Sequence, residues 1–327
     1  MEYINSNNTL ELINPVQIEE ALNNKVFIEA NTVECSLNEM RNTHSIPVWL
    51  KDSEQMISHV DFIELTYKIV KDRFHGEKIS NPIIRVSHPL KGKVASARDK
   101  PTHLLRDDEK TLSYERCMFC IEIPSITTEV GGNTLSLVVG GVKSFSEDNL
   151  YQRSGGDQHF RFFIGFENRV CTNLNIWSDG YSGLLTVKDT EHLYLAVNSI
   201  IQRYNSGHHL FHLRNLAEHS ITESEFAHLV GRCRIYQNLP NHIKKDVPEI
   251  LLTDTQLNMV VRDYYRDKSF CRSGDGTISL WNVYNLLTGC NKTSYINDFV
   301  DRSVNAYNFI EQIRWALEGK TESWYLS

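Results

Sequence analysis

Met118-Phe119-Cys120-Ile121-Glu122-Ile123, Glu129-Val130-Gly131-Gly132-Asn133 and Leu135-Ser136-Leu137-Val138-Val139 decide how this chain folds. Two runs rich in β-branched and aromatic residues flank a Gly-Gly pair, the pattern of a β-hairpin. A second such unit follows. Phe160-Arg161-Phe162-Phe163-Ile164-Gly165-Phe166 leads into the turn-like Glu167-Asn168-Arg169, and the segment from Val170 to Trp177 reads as its return strand. Two successive hairpins make an antiparallel sheet.

Upstream, Ser58–Phe74 places Phe62, Leu65, Ile69 and Val70 on one helical stripe, with Gly76 just past its end. Short extended segments are expected at 32–37 and 46–50. Residues 1–30 read as a loosely attached, Asn-rich leader with one short helix at 15–22, where Pro15 suits the first turn. Downstream of 188 the apolar period changes from two to 3.6. Helices are expected at 192–204 (closed by Ser206-Gly207), from the Thr222/Glu225 capping box, at 253–265, from Ser279 to Gly289, and at 293–317. The class is therefore α+β: an antiparallel sheet in the N-terminal half and a mostly helical C-terminal half. The expected division is a leader (1–30), a β-rich domain (31–187) and a helical domain (188–327).

Composition narrows the function. The chain has 327 residues, 41% hydrophobic and 23% charged, which is ordinary for a folded core. No apolar run is long enough to span a bilayer, and the polar, acidic start does not resemble a secretory signal. Seven scattered cysteines do not form a disulfide framework, so a reducing cytoplasm is expected and no membrane partner. A net charge of −7 repels polyanions at long range, so any nucleic-acid site must be a local basic patch.

Several motifs carry no chemistry. Cys117 and Cys120 lie three apart in a strand, on opposite faces, and cannot share a metal. Thr288-Gly289-Cys290-Asn291-Lys292-Thr293 lacks the glycines and the preceding strand of a phosphate loop. The double glycines at 131–132, 140–141 and 155–156 read as turns. Carboxylate pairs Asp61/Glu64 and Asp298/Asp301 read as solvated helix faces. No catalytic residue and no cofactor is expected.

Two segments could carry a site. His208 and His212 lie four apart, and a helix continued to His219 would align all three, with Glu218 as a nearby acid. Neutral imidazoles at this spacing suit zinc or nickel. Residues 85–100 combine Arg85, His88, Lys91, Lys93, Arg98 and Lys100 with Gly, Pro and Ser, against the single acid Asp99. A flexible basic loop beside Phe160, Phe162, Phe163 and Phe166 would hold a single strand, with phosphates on the cations and bases on the rings. Alternation puts Phe160 and Phe162 on one face and Phe163 on the other.

Arg85-Val86-Ser87-His88, the segment Tyr114 to Pro124, Phe163-Ile164-Gly165-Phe166 and Leu280 to Gly289 resemble an uncharacterised Bacteroidetes domain-of-unknown-function family over about 28–310. A more distant resemblance, to the "phage/plasmid-like protein" family, rests on Arg169-Val170-Cys171-Thr172-Asn173-Leu174 and Trp281-Asn282-Val283-Tyr284-Asn285. That resemblance implies a setting on plasmids, prophages or conjugative elements, assigns no catalytic residue, and adds Arg169 to the candidate nucleic-acid contacts. Three readings stay open: a mobile-element accessory protein binding single-stranded DNA and working as a homo-oligomer; a non-enzymatic factor that binds a host or element-encoded protein; and a metal-dependent enzyme using His208 and His212.

Overall fold

The computed structural model describes residues 26–43, 46–49, 56–148 and 156–327. Strand β1 (Val33–Glu34), helix α1 (Leu37–Thr43), strand β2 (Ile46–Pro47) and helix α2 (His59–Arg73) come first. The long strands β3 (Ile83–Lys93), β4 (Lys110–Val130), β5 (Asn133–Ser144) and β6 (Gln158–Asn168) follow, then short β7 (Leu174–Asn175) and β8 (Leu185–Val187). These make one eight-stranded antiparallel sheet in the order β1-β3-β4-β5-β6-β7, with β2 also on β3 and β8 also on β6.

Helices dominate the remainder: α3 (Thr190–Arg203), α4 (Ser206–Glu218), α5 (Glu223–Gln237), α6 (Asn241–Lys244), α7 (Asp254–Arg266), α8 (Leu280–Asn291) and α9 (Ile296–Leu317). A small antiparallel pair, β9 (Ser220–Ile221) with β10 (Ile278–Ser279), stitches α4 to α8. The α+β reading holds, with the antiparallel sheet in the first half and the helices mostly in the second.

The deciding hairpin forms with a two-residue loop, because Val130 pairs Asn133. Gly131 and Gly132 both take positive φ, 54° and 76°, as a type I′ turn requires. A Cβ on Gly131 would also overlap the indole of Trp281, whose Nε1 donates to Asn133 Oδ1 at 2.8 Å. The turn thus serves as the seat on which α8 docks. Helix α2 starts as its sequence indicates, with a reciprocal Ser58/Asp61 capping box, and Thr222/Glu225 does the same for α5.

Elsewhere local signals misled. Gly140-Gly141 lies within β5, not in a turn; a Cβ on Gly140 would meet Phe163 and one on Gly141 would meet Phe62, so both glycines make room for rings. The segment Val170–Asn173 is a loop, and only Leu174–Asn175 pairs with β6. Its cause is visible: the Asn168 side chain accepts from the Val170 amide at 3.0 Å, and Thr172 takes φ 58°. The extended segment expected through Leu37 ends early, because the Ser36 hydroxyl accepts from the Glu39 amide at 3.1 Å and α1 begins. Ser206-Gly207 opens α4 and does not close α3, since Asn205 caps it through the His208 amide at 2.9 Å. The expected helix at 15–22 and Gly155 lie outside the described residues.

Both faces of the sheet are covered. On one, Phe62, Ile69 and Val70 of α2 join Phe119, Phe160, Phe162 and Phe166 of the strands and Leu193, Leu213, Tyr284 and Ile310 of the later helices in a single buried cluster. On the other, Phe27, Ile28 and the start of α9 (Ile296, Phe299, Val300) cover Met118, Cys120, Val142 and Phe163. Cys117 and Cys120 fall in different clusters, so opposite faces is correct, and all seven cysteines are free thiols.

Candidate functional site

The basic segment is mostly a strand. Residues 83–93 form β3, held to β4 along nearly its whole length, so the flexible loop expected there is absent from 85–93. A strand places alternate side chains against the body of the protein, and several cations find partners there. Arg85 donates from Nε to Thr32 Oγ1 at 3.0 Å and from Nη2 to the Thr32 carbonyl at 2.9 Å. Lys93 is 2% exposed, and its ammonium donates to the carbonyls of Arg98 and Lys100. Lys100 pairs with Glu109. Arg169 bonds Glu122 at 3.1 Å and the Pro124 carbonyl at 3.0 Å.

The phenylalanine platform is closed. Phe160, Phe162, Phe163 and Phe166 are each at most 1% exposed, under the helices that cover the two faces, so no base can stack on them. Their alternation is as read, with Phe163 alone on the second face.

A different ring takes that place. Tyr295, the residue before α9, is 50% exposed. The Arg116 guanidinium lies 5.8 Å from its ring centroid, and the His88 ring lies 6.4 Å away. His88 holds φ 58° and bonds Ser87 Oγ through Nδ1 at 3.0 Å, which turns its exposed ring out of the strand's alternation. Lys91, also exposed, lies three residues further along β3. Neither Lys91 nor Arg116 forms an ion pair among the described residues, and Arg116 Nε is buried with no hydrogen-bond partner. His88 and Arg116 therefore set one imidazole and one guanidinium beside the open ring of Tyr295, while Lys91 pairs with Leu112 further along the strand. Arg116 and Tyr295 were missed in the sequence: each is an isolated residue, and only the docking of α9 on β4 brings them together.

The two motifs behind the distant resemblance also meet. Asn168 Nδ2 donates to Asn285 Oδ1 at 3.2 Å, Asn173 Nδ2 donates to the Asn285 carbonyl at 2.9 Å, and Asn285 Nδ2 donates to the Trp281 carbonyl at 2.9 Å. All three asparagines are buried, so this network fastens α8 to the 168–173 loop and offers nothing to a ligand.

The histidines form the most connected polar group. Helix α4 ends at Glu218, so His219 lies beyond it and turns to Glu318 at 3.4 Å. Glu218 is exposed and takes no part. His208 and His212 lie one turn apart and meet edge to face, with their Nε2 atoms 3.0 Å from each other. Trp177 packs against both rings, centroids 4.9 and 5.4 Å away. Behind them His212 Nδ1 donates to Glu311 Oε2 at 3.1 Å, and Arg314 holds Glu311 through two bonds of 3.0 and 2.8 Å. His209 points inward instead; burial, with His212 and His208 nearby, lowers its pKa to about 3. His228 is elsewhere, on the carbonyl of Ser327 at 2.8 Å. Glu311 had no sequence signal, being one acid on the last helix. Among the described residues no three His, Cys, Asp or Glu side chains are grouped to hold a metal ion, and no helix is long and apolar enough to cross a membrane.

The remaining acid pairs have structural partners: Asp61 caps α2, Glu64 pairs Arg41, Asp298 pairs Arg302, and Asp301 takes Arg161 and Tyr181.

Among known proteins, the family described as "Domain of unknown function, B. Theta Gene description (DUF3871)" matches residues 7–326. No curated protein and no solved structure matches the chain. With nearly its whole length matched, the chain belongs to the DUF3871 domain-of-unknown-function family.

Proposed function

We propose that this protein binds single-stranded nucleic acid on the surface formed by His88, Arg116 and Tyr295, with the exposed Lys91 further along β3 as a phosphate contact, as an accessory factor in replication or recombination of a mobile element. One observation carries the reading: an aromatic ring left 50% exposed with a guanidinium and an imidazole beside it. Stacking on an exposed ring is tolerant of base identity and contributes about 1–3 kcal/mol per base, while Lys and Arg meet the phosphates. The patch is compact, which suits a chain of net charge −7 that cannot hold a polyanion over its whole surface. The mobile-element setting is supported by the resemblance of Arg169–Leu174 and Trp281–Asn285 to the phage/plasmid-like family.

Fluorescence anisotropy of a labelled single-stranded oligonucleotide across a salt series tests this. Affinity should fall as salt rises. Tyr295→Ala should weaken binding roughly tenfold at every salt concentration, a loss within the stacking range. Lys91→Glu should weaken binding most at low salt and flatten the salt slope. Absence of salt-dependent binding, or full affinity in both variants, rules the reading out.

A further inference from the structure

We infer that His208 and His212 form an open, two-histidine binding site for a divalent first-row transition-metal ion, positioned by Glu311 and Arg314. This goes beyond nucleic-acid binding and rests on separate residues.

Their geometry is suited to a shared ion. The two Nε2 atoms are 3.0 Å apart. Two metal–nitrogen bonds of about 2.0–2.1 Å spanning that separation subtend roughly 95°. Such an angle is close to the cis angle of tetragonal and octahedral ions and narrower than a tetrahedral one, so the pair suits Cu²⁺ or Ni²⁺ better than Zn²⁺. The general affinity order of N-donor sites points the same way.

The surroundings prepare one ligand in advance. Glu311 is 4% exposed and accepts from His212 Nδ1, which puts the proton on Nδ1 and leaves the Nε2 lone pair to accept from His208 Nε2, or to take an ion once His208 adopts its other tautomer. Carboxylates in this position orient metal-ligating imidazoles and raise their basicity. Glu311 is in turn clamped by Arg314, itself 4% exposed and also paired with Glu318. A surface imidazole pair has no need of a buried guanidinium–carboxylate clamp behind it, whereas a ligand that must keep one tautomer and one orientation does. Trp177 limits the rotation of both rings from the side. His208 is exposed, so the remaining coordination positions face solvent, open to water or to a donor atom of a bound molecule.

The test uses the full chain without a histidine tag and without nucleic acid, so its outcome is independent of the proposed function. Calorimetric titration with Cu²⁺ and with Ni²⁺ should show one ion per chain, and the Cu²⁺ electron paramagnetic resonance spectrum should show two imidazole nitrogens. His208→Ala, a change at the surface, and His212→Ala should each weaken binding at least tenfold and leave at most one nitrogen. Glu311→Gln should weaken binding by about tenfold with two nitrogens retained, the size typical of losing such a partner. His242→Ala, at an exposed histidine on α6, should change nothing. Failure of the wild-type chain to bind either ion stoichiometrically, or equal binding by the His208→Ala and His212→Ala variants, overturns the assignment.

Discussion

Strand β3 and helix α4 each bring several basic side chains into a short stretch, and the fold orients them in opposite directions. On β3, Arg85 and Lys93 reach back to backbone oxygens of Thr32, Arg98 and Lys100. On α4, His208 is exposed and touches His212, which has Glu311 and Arg314 behind it. The cause lies in what the backbone leaves over. After β3 the chain passes through short 3-10 turns at 95–97 and 102–104, and the Arg98 and Lys100 carbonyls between them are taken by the buried Lys93 ammonium, as the Thr32 carbonyl before β1 is taken by the Arg85 guanidinium. A helix satisfies its own carbonyls within itself, so side chains on it must look to other elements for partners. Charge counted along a sequence is therefore a poor guide to charge on a surface. Of the seven cationic or imidazole residues read from sequence as nucleic-acid contacts, His88 lies beside Tyr295 and Lys91 is exposed, Arg98 is half-buried, and Arg85, Lys93, Lys100 and Arg169 have internal partners.

The contrast can be broken at several points. The largest effect is expected from Glu311→Ala, which leaves Arg314 buried with only Glu318 to pair it and should cost about 3 kcal/mol in urea unfolding. A cost below about 0.5 kcal/mol would show that the clamp behind the histidines is not buried as described.

Next in size is the response to acid. Burial holds His59 and His209 neutral, with pKa values lowered to about 3. A depressed histidine contributes stability that is present above its unfolded pKa near 6.5 and is lost as pH falls from there toward 3. Glu167 acts in the opposite sense: burial, then Glu122, raises its carboxyl to about 7, so its contribution is present below about 4.5 and lost as pH rises to about 7. Two imidazoles against one carboxyl leave a net loss of stability between pH 6 and 4. His209→Phe should reduce that slope by roughly 1.4 kcal/mol per pH unit, the effect of one proton. An unchanged slope in chemical denaturation at pH 4, 5 and 6 would mean that His209 is not held neutral by burial.

Two lysines two residues apart on β3 sharpen the comparison further. Lys93→Met removes a buried donor from two carbonyls and should cost about 1–3 kcal/mol with no effect on oligonucleotide affinity. Lys91→Met should change stability by less than about 0.5 kcal/mol and weaken oligonucleotide binding. Equal behaviour of the two variants in either measurement would erase the distinction between the exposed and the buried lysine.

Much of the fold was legible because its signals are local. Gly131-Gly132 between two β-rich runs specifies a hairpin, and the Thr222/Glu225 capping box marks a helix start within a single turn. Where a residue's role depends on a distant partner, the local reading failed. Gly140-Gly141 resembles a turn until Phe62 and Phe163 are known to lie above and below it. Val170–Asn173 has strand composition, yet Asn168 bends it into a loop that Asn285 then fixes. The same limit governs the candidate sites. The four phenylalanines of β6 were conspicuous and are buried, whereas Tyr295 and Arg116 are isolated in sequence and adjacent in space. His208 and His212 were visible from their spacing, and Glu311, which holds His212, was not.

The most direct test of the proposed surface is to map where a single strand lies. A bromouracil-substituted oligonucleotide is photocrosslinked to the full chain at low salt, and the modified residues are identified by mass spectrometry. Crosslinks are expected at Tyr295 and in the segment 88–91 of β3, with loss of the principal crosslink in Tyr295→Ala. Crosslinks confined to the helical surface around α5 and α7, or undiminished crosslinking in Tyr295→Ala, would contradict the assignment.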